Sequence, residues 1–171
     1  MAAASTLDDV AHRPERGAAL VVRRCVIGVL FLLVVAGAVG VFGVHSRSAT
    51  TSSGGYRLRV TYPQTARAGL DVPWRTEIDK PGGFNSNITI AVSSDYFRMF
   101  ETQGFFPNAD SMTNDGQFVY FSFDKPSGDR FVLEYDAYIQ PASQIGKTAT
   151  VELIVGGSVV AHTKIRTWLV P

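Results

Sequence analysis

Cysteine is nearly missing from this chain of 171 residues, which has one, Cys25. The long segment after it folds without disulfides, and no Cys-rich metal framework can form there. Histidine is almost as scarce, and His162 is the only one beyond His45. Hydrolase chemistry would need that ring beside a nucleophile and an orienting acid. It stands instead on an alternating stretch with Lys164 and Arg166 on its face, the pattern of a solvated strand. No Gly-x-Ser-x-Gly elbow occurs, so no catalytic residue is expected and the chain does not read as an enzyme. Basic runs are lacking too. From Tyr56 onward there are eleven Lys/Arg and twelve Asp/Glu, which gives no electrostatic footprint for nucleic acid.

What the chain has is one long apolar run, Cys25 to Val44, without a charge, a proline or a strongly polar side chain. About twenty such residues, as a helix, span the roughly 30 Å hydrocarbon core of a bilayer. A lone segment can do so only as a helix, because lipid offers its amides no partners. Ala36-Gly37-Ala38 has the small-x-small form of a signal-peptidase site. The run continues through Val44, however, and cleavage there would leave an apolar new N-terminus, so an uncleaved anchor is the better reading. A lipoprotein signal does not fit, since Cys25 opens the run rather than closing it. Ala36, Gly37, Gly40 and Gly43 recur at spacings that suit close helix packing, but such residues are common in membrane helices generally.

Arg13, Arg16, Arg23 and Arg24 precede the run, the last two directly against it, while Arg47, Arg57 and Arg59 follow at a greater distance. Lys/Arg bias marks the cytoplasmic side, which puts residues 1–24 inside the cell and the C-terminal domain outside a plasma membrane. The first 24 residues are Ala-rich and mixed in charge with no sustained apolar period, and read as a disordered tail. Residues 45–55, rich in Ser, Thr and Gly, read as a flexible linker with a reach on the order of 17–20 Å.

From Tyr56 to Pro171 the pattern is alternation with period two. Tyr56, Leu58, Val60 and Tyr62 share one face, and Val72, Trp74, Thr76 and Ile78 another. Ile88 to Val92, Phe118 to Phe123, Phe131 to Ile139 and Val151 to Val155 follow, and Gly156-Gly157 makes a tight hairpin into a last strand from Ser158. About seven short strands separated by Gly/Pro/Asp turns predict an all-β, antiparallel sandwich of the Ig-like or fibronectin-like kind, without the Cys…Trp…Cys framework. One stretch interrupts them. Tyr96, Phe97, Met99 and Phe100 fall at i, i+1, i+3 and i+4 behind Ser94-Asp95, which predicts a short amphipathic helix over 94–103.

An anchor with its N-terminus inside, a Ser/Thr/Gly tether and one cysteine-free Ig-like domain resemble uncharacterised single-pass membrane proteins of actinobacteria. Arg59-Val-Thr-Tyr-Pro63, Ala68-Gly-Leu-Asp-Val-Pro-Trp74 and the segment from Tyr96-Phe97 to Pro107 carry the resemblance. It implies no activity and no cofactor.

Two function classes follow. One is a non-enzymatic interaction or accessory module beside the membrane, with an integral-membrane protein as partner. The other is a sensor of cell wall or a small ligand, for which the N-terminal tail is short. Asp110 to Gly116 has the feel of a calcium loop, but Met112 occupies a ligand position and the closing Glu is missing, so a turn is expected. Asn87-Ile88-Thr89 matches a glycosylation sequon and reads as the start of a strand. Seven alternating strands starting at a tether would put Asp79-Lys-Pro-Gly82 and Asp124-Lys-Pro-Ser-Gly128 at the membrane end. Lys80 and Lys125 are then candidate headgroup contacts. The opposite end would carry Tyr96, Phe97, Phe100, Phe105, Phe106 and Trp168. These six are the candidate partner surface, because aromatic anchors bring large area at little entropic cost.

Overall fold

Helix α1 runs from Gly17 to Ala38 in the computed structural model, which describes residues 17–40 and 43–170, the side chains at 102 and 103 aside. The predicted helix over 25–44 is therefore shifted toward the N-terminus. Arg23 and Arg24 lie within it rather than before it. The helix stops because Gly40 takes φ 77°, a left-handed conformation that suits only glycine, with its N–H donating to the Gly37 carbonyl at 3.0 Å. Twenty-two residues rise about 33 Å. The helix buries none of its side chains. It is long and apolar enough to cross a membrane. The expected disordered tail falls mostly on residues 1–16, which lie outside the described residues.

Gly43–Pro171 forms a second unit, an all-β sandwich. One sheet has the order β1(His45–Ser53)-β2(Tyr56–Ala66)-β3(Asp71–Asp79)-β8(Arg130–Ile139)-β5(Phe100–Phe106), with the short β11(Trp168–Leu169) parallel to β2. The other has the order β10(Ser158–Arg166)-β9(Thr148–Val155)-β4(Ile88–Ser93)-β7(Phe118–Phe123)-β6(Ser111–Asn114). Apart from β11, neighbouring strands are antiparallel. Leu58, Val60, Trp74, Ile78, Leu133 and Ile139 from the first sheet meet Ile88, Ile90, Phe121, Val151, Leu153 and Ile165 from the second in one core. The first sheet's outer face is charged. There Glu77 lies within ion-pair distance of Arg59, Arg75 and Arg130.

Two expectations fail in ways that matter for function. The Ser/Thr-rich stretch expected as a linker is mostly strand β1, paired with β2 from Ser53↔Tyr56 to His45↔Thr65. Gly54 and Gly55, at φ 57° and 76°, supply the primed turn such a hairpin needs. The expected helix over 94–103 is a single turn, α2(Ser94–Phe97), after which β5 begins at Phe100. Seven strands become eleven.

The added strand reverses the ends of the sandwich. The chain arrives at His45, beside Thr65 near the close of β2, so the turn at 67–70, the loop at 140–147 and β11 lie at the same, proximal end. Gly54-Gly55, the loops at 80–87 and 124–129, and Gly156-Gly157 lie at the distal end. Lys80 and Lys125 are thus distal, opposite to where the chain arrives, and the ground for expecting headgroup contact there is gone. Lys80 places its ammonium 4.4 Å from the Tyr56 ring centroid, a cation–π contact.

Candidate interaction surface at the open side of the sandwich

Phe97, on the single turn of α2, projects between the sheets into a cluster of rings. It lies 5.5 Å from both Phe121 and Tyr135, and 6.1 Å from Trp74, in tilted or edge-on contacts. Phe105 stacks on Tyr135 at 4.4 Å and 12°, and meets Phe121 at 4.5 Å. Edge-to-face and stacked pairs each add about 0.5–1.5 kcal/mol beyond the area they bury. The cluster leads outward to the side where the sheets end in β5 and β6. Among the described residues each of these strands pairs on one side only, with β8 and β7 respectively.

Between these two edges lies an apolar cleft of about 250 Å³ lined by Phe97, Phe105, Met112, Thr113, Asn114, Val119 and Phe121. Met112 stands at its mouth with 61% of its surface exposed. Phe106 is 77% exposed on the other face of β5, opposite Glu134, beside a second hollow shared with Gly104 and Asp136. A bulge between Thr102 and Gly104 disturbs the register just before these two phenylalanines.

The six residues expected to form one surface divide into three groups. Tyr96 and Phe100 are core, at 0% and 3% exposure, and present nothing to a partner. Their helix-like spacing packs them beneath the proximal end instead of leaving them on a free face. Phe97, Phe105 and Phe106 do come together, the first two as walls of the cleft and the third outside it. Trp168 is half exposed but sits on β11 beside β2, several strands away from β5 across the sheet, with the Arg166 guanidinium 3.5 Å over its ring. The sequence reading missed Met112 and Phe121 as cleft residues. The signal available was their pairing, since Met112 stands opposite Phe121 in the β6–β7 ladder.

Asp110 to Gly116, where a turn rather than a calcium loop is expected, forms strand β6 and the turn after it. Asn114 Oδ1 accepts from the Gly116 N–H at 2.7 Å and from Ser94 Oγ at 3.0 Å. Asp115 accepts from the Gln117 and Phe118 N–H groups and from the Tyr120 hydroxyl. The Phe118 amide, then Tyr120 and the Gln117 amide, hold the Asp115 carboxyl below the usual carboxylate range. Its oxygens serve the turn that fixes one wall of the cleft. His162 is exposed on β10, opposite Glu152. Asn87 opens onto β4, donating to Asp124 at 3.2 Å. No protein-family model matches the chain, and no curated protein sequence matches it.

Proposed function

We propose that this chain is a membrane-anchored, non-enzymatic interaction module. In this reading α1 stays uncleaved in the plasma membrane, residues before it face the cytoplasm, and the sandwich stands outside as an Ig-like domain. The Ig-like reading is supported by the sheet orders, β2-β3-β8-β5 being like the A-B-E-D sheet of a variable-type immunoglobulin domain and β10-β9-β4-β7-β6 like its G-F-C-C′-C″ sheet. The likeness is one of sheet order alone: along the chain β5 precedes β6 and β7, β6 precedes β7, and β1 and β11 are added beside β2. The Arg23-Arg24 pair supports the orientation.

One observation carries the interaction reading. Two edge strands, each with a free side, flank an apolar cleft and expose Phe106 and Met112 beside it. Edge strands are usually blunted by shortness, a bulge, charge, proline or cover, and of these β6 has only its four-residue length and β5 its bulge and a charged Glu101. Here β6 offers Ser-Met-Thr-Asn, all exposed and uncharged, and the edge invites the extended backbone of a second integral-membrane protein.

Photo-crosslinking amino acids placed at Phe106 and Met112 of the full chain in its native membrane should give one discrete adduct with an integral-membrane protein. The same probe at Ser158, at the distal end of β10, should give none. Equal adducts from all three positions, or none from the open side, would refute the assignment.

A further inference from the structure

We propose that the proximal end of the sandwich docks on an anionic lipid surface through Leu70, Ile145 and Trp168, with Arg67, Lys147 and Arg166 as its cationic rim. The inference rests on the reading of α1 as a membrane anchor and adds to it a second, peripheral contact with the same bilayer.

Three segments carry the apolar side chains exposed at this end, the β2–β3 turn, the β8–β9 loop and the β10–β11 junction, and α2 and the β6–β7 turn lie beside them. The Thr167 N–H donates to the Lys147 carbonyl at 2.9 Å, and the Val170 N–H to the Ala66 carbonyl at 2.9 Å. Gly146 seals the contact, since a Cβ there would collide with the Thr167 carbonyl and stand 2.8 Å from the Trp168 Cα. Leu70, Ile145 and Trp168 are 41%, 77% and 50% exposed, a concentration of large apolar side chains at one end. Leu169 and Val170 add half-buried apolar surface in a hollow of about 530 Å³ shared with Arg67 and Pro141.

Charge and chain length both choose lipid as the occupant. Residues 67–70, 141–147 and 166–170 hold Arg67, Lys147 and Arg166; the acids at this end are Asp71 beside Leu70, Glu101 opposite Tyr138, Asp95 ion-paired with Arg98 at 3.2 Å, and Asp115 bound into its own turn. Trp is enriched where protein meets the headgroup layer, basic side chains are drawn to anionic headgroups, and Arg166 already lies over the Trp168 ring. Only residues 39–44 separate Ala38 from His45. Fully extended, they carry His45 no further than about 25 Å from the end of α1. The eleven residues of β2 alone extend about 36 Å. The chain therefore tethers the proximal end more tightly than the distal one.

The test uses the full chain reconstituted into phosphatidylcholine vesicles, with and without phosphatidylglycerol, carrying bromine on their acyl chains. Co-flotation with vesicles reads the anchor, and bromine quenching of tryptophan reads the docking. Trp74 is buried in the core, so quenching should come from Trp168 and vanish in Trp168→Phe. It should rise with phosphatidylglycerol. In the Arg67→Gln/Lys147→Gln/Arg166→Gln chain, the docked-to-undocked ratio should fall on the order of fivefold per basic residue removed. Lys80→Gln/Lys125→Gln, at the distal end, should leave it unchanged. Co-flotation without quenching in the unaltered chain would overturn the docking surface and leave the anchor standing. Failure to co-float would overturn the anchor and the docking with it.

Discussion

Replacing Trp74 by Ala should cost the sandwich about 3–5 kcal/mol of unfolding free energy. Trp74 is 2% exposed on β3 and is among the largest fully buried side chains. Its ring meets Tyr135 edge-on at 6.2 Å and Phe97 at 6.1 Å, so truncation opens a cavity where both sheets contribute rings. Tyr135 is held on β8 and Phe97 on α2, so they can collapse only partly into the space. Trp74→Phe should cost less than half as much. It keeps an aromatic ring there, and it removes an indole N–H that has no hydrogen-bond partner among the described residues. Urea unfolding of the two variants reads the difference as a shift in midpoint at unchanged slope. Because Phe97 leans on Trp74, the Ala variant should also lose the adducts formed from Met112.

Thr167→Val should cost about 2–6 kcal/mol although it changes almost no volume. The Tyr96 hydroxyl donates to Thr167 Oγ1 at 2.8 Å, and Thr167 donates onward to the Pro63 carbonyl at 2.6 Å. Tyr96 and Thr167 are both fully buried, so this relay ties α2, β2 and the β10–β11 junction together where water cannot replace a lost bond. Valine orphans a donor and an acceptor, each at about 1–3 kcal/mol. Tyr96→Phe leaves Thr167 still bonded to Pro63 and should cost about 1 kcal/mol. The double substitution should cost less than the sum, since without the phenol there is no stranded donor. Burial pushes the Tyr96 hydroxyl well above the ordinary phenol range, against a lowering by Thr167. A raised folded pKa means its stabilising share is complete below the unfolded value near 10 and declines as pH rises above it. Tyr96→Phe should therefore unfold less steeply with alkali.

Strands whose two faces differ in polarity were legible in the sequence. β2 alternates Tyr56, Leu58, Val60, Tyr62 against Arg57, Arg59, Thr61, and its buried and outward residues follow that order. The same holds for β3 and β8, and Gly156-Gly157 forms the turn expected of it. β1 was hidden because an outer strand needs little apolar surface. Ala49 is the residue of β1 that packs against the core, and its other side chains read as linker. β5 was hidden by its bulge and by the apolar run in front of it, whose spacing suits a helix and equally a turn followed by a strand. Missing β1 had the larger consequence. One extra antiparallel strand exchanges the two ends, and with them the surfaces credited to lysines and to aromatic residues. The cleft was half legible: Phe97 and Phe105 were in view, but Met112 joins Phe121 only once the four-residue β6 is seen to pair with β7 as a hairpin.

Every functional statement above depends on an uncleaved helix that leaves the sandwich outside the cell, and cysteine accessibility tests this most directly. In a Cys25→Ser background carrying an N-terminal tag, a single cysteine is placed at exposed Ser127 and intact cells are treated with a membrane-impermeant maleimide. Labelling before lysis of a membrane-bound, full-length, tag-bearing chain is the predicted result. Labelling only after lysis, or a shorter chain released without its tag, would contradict it.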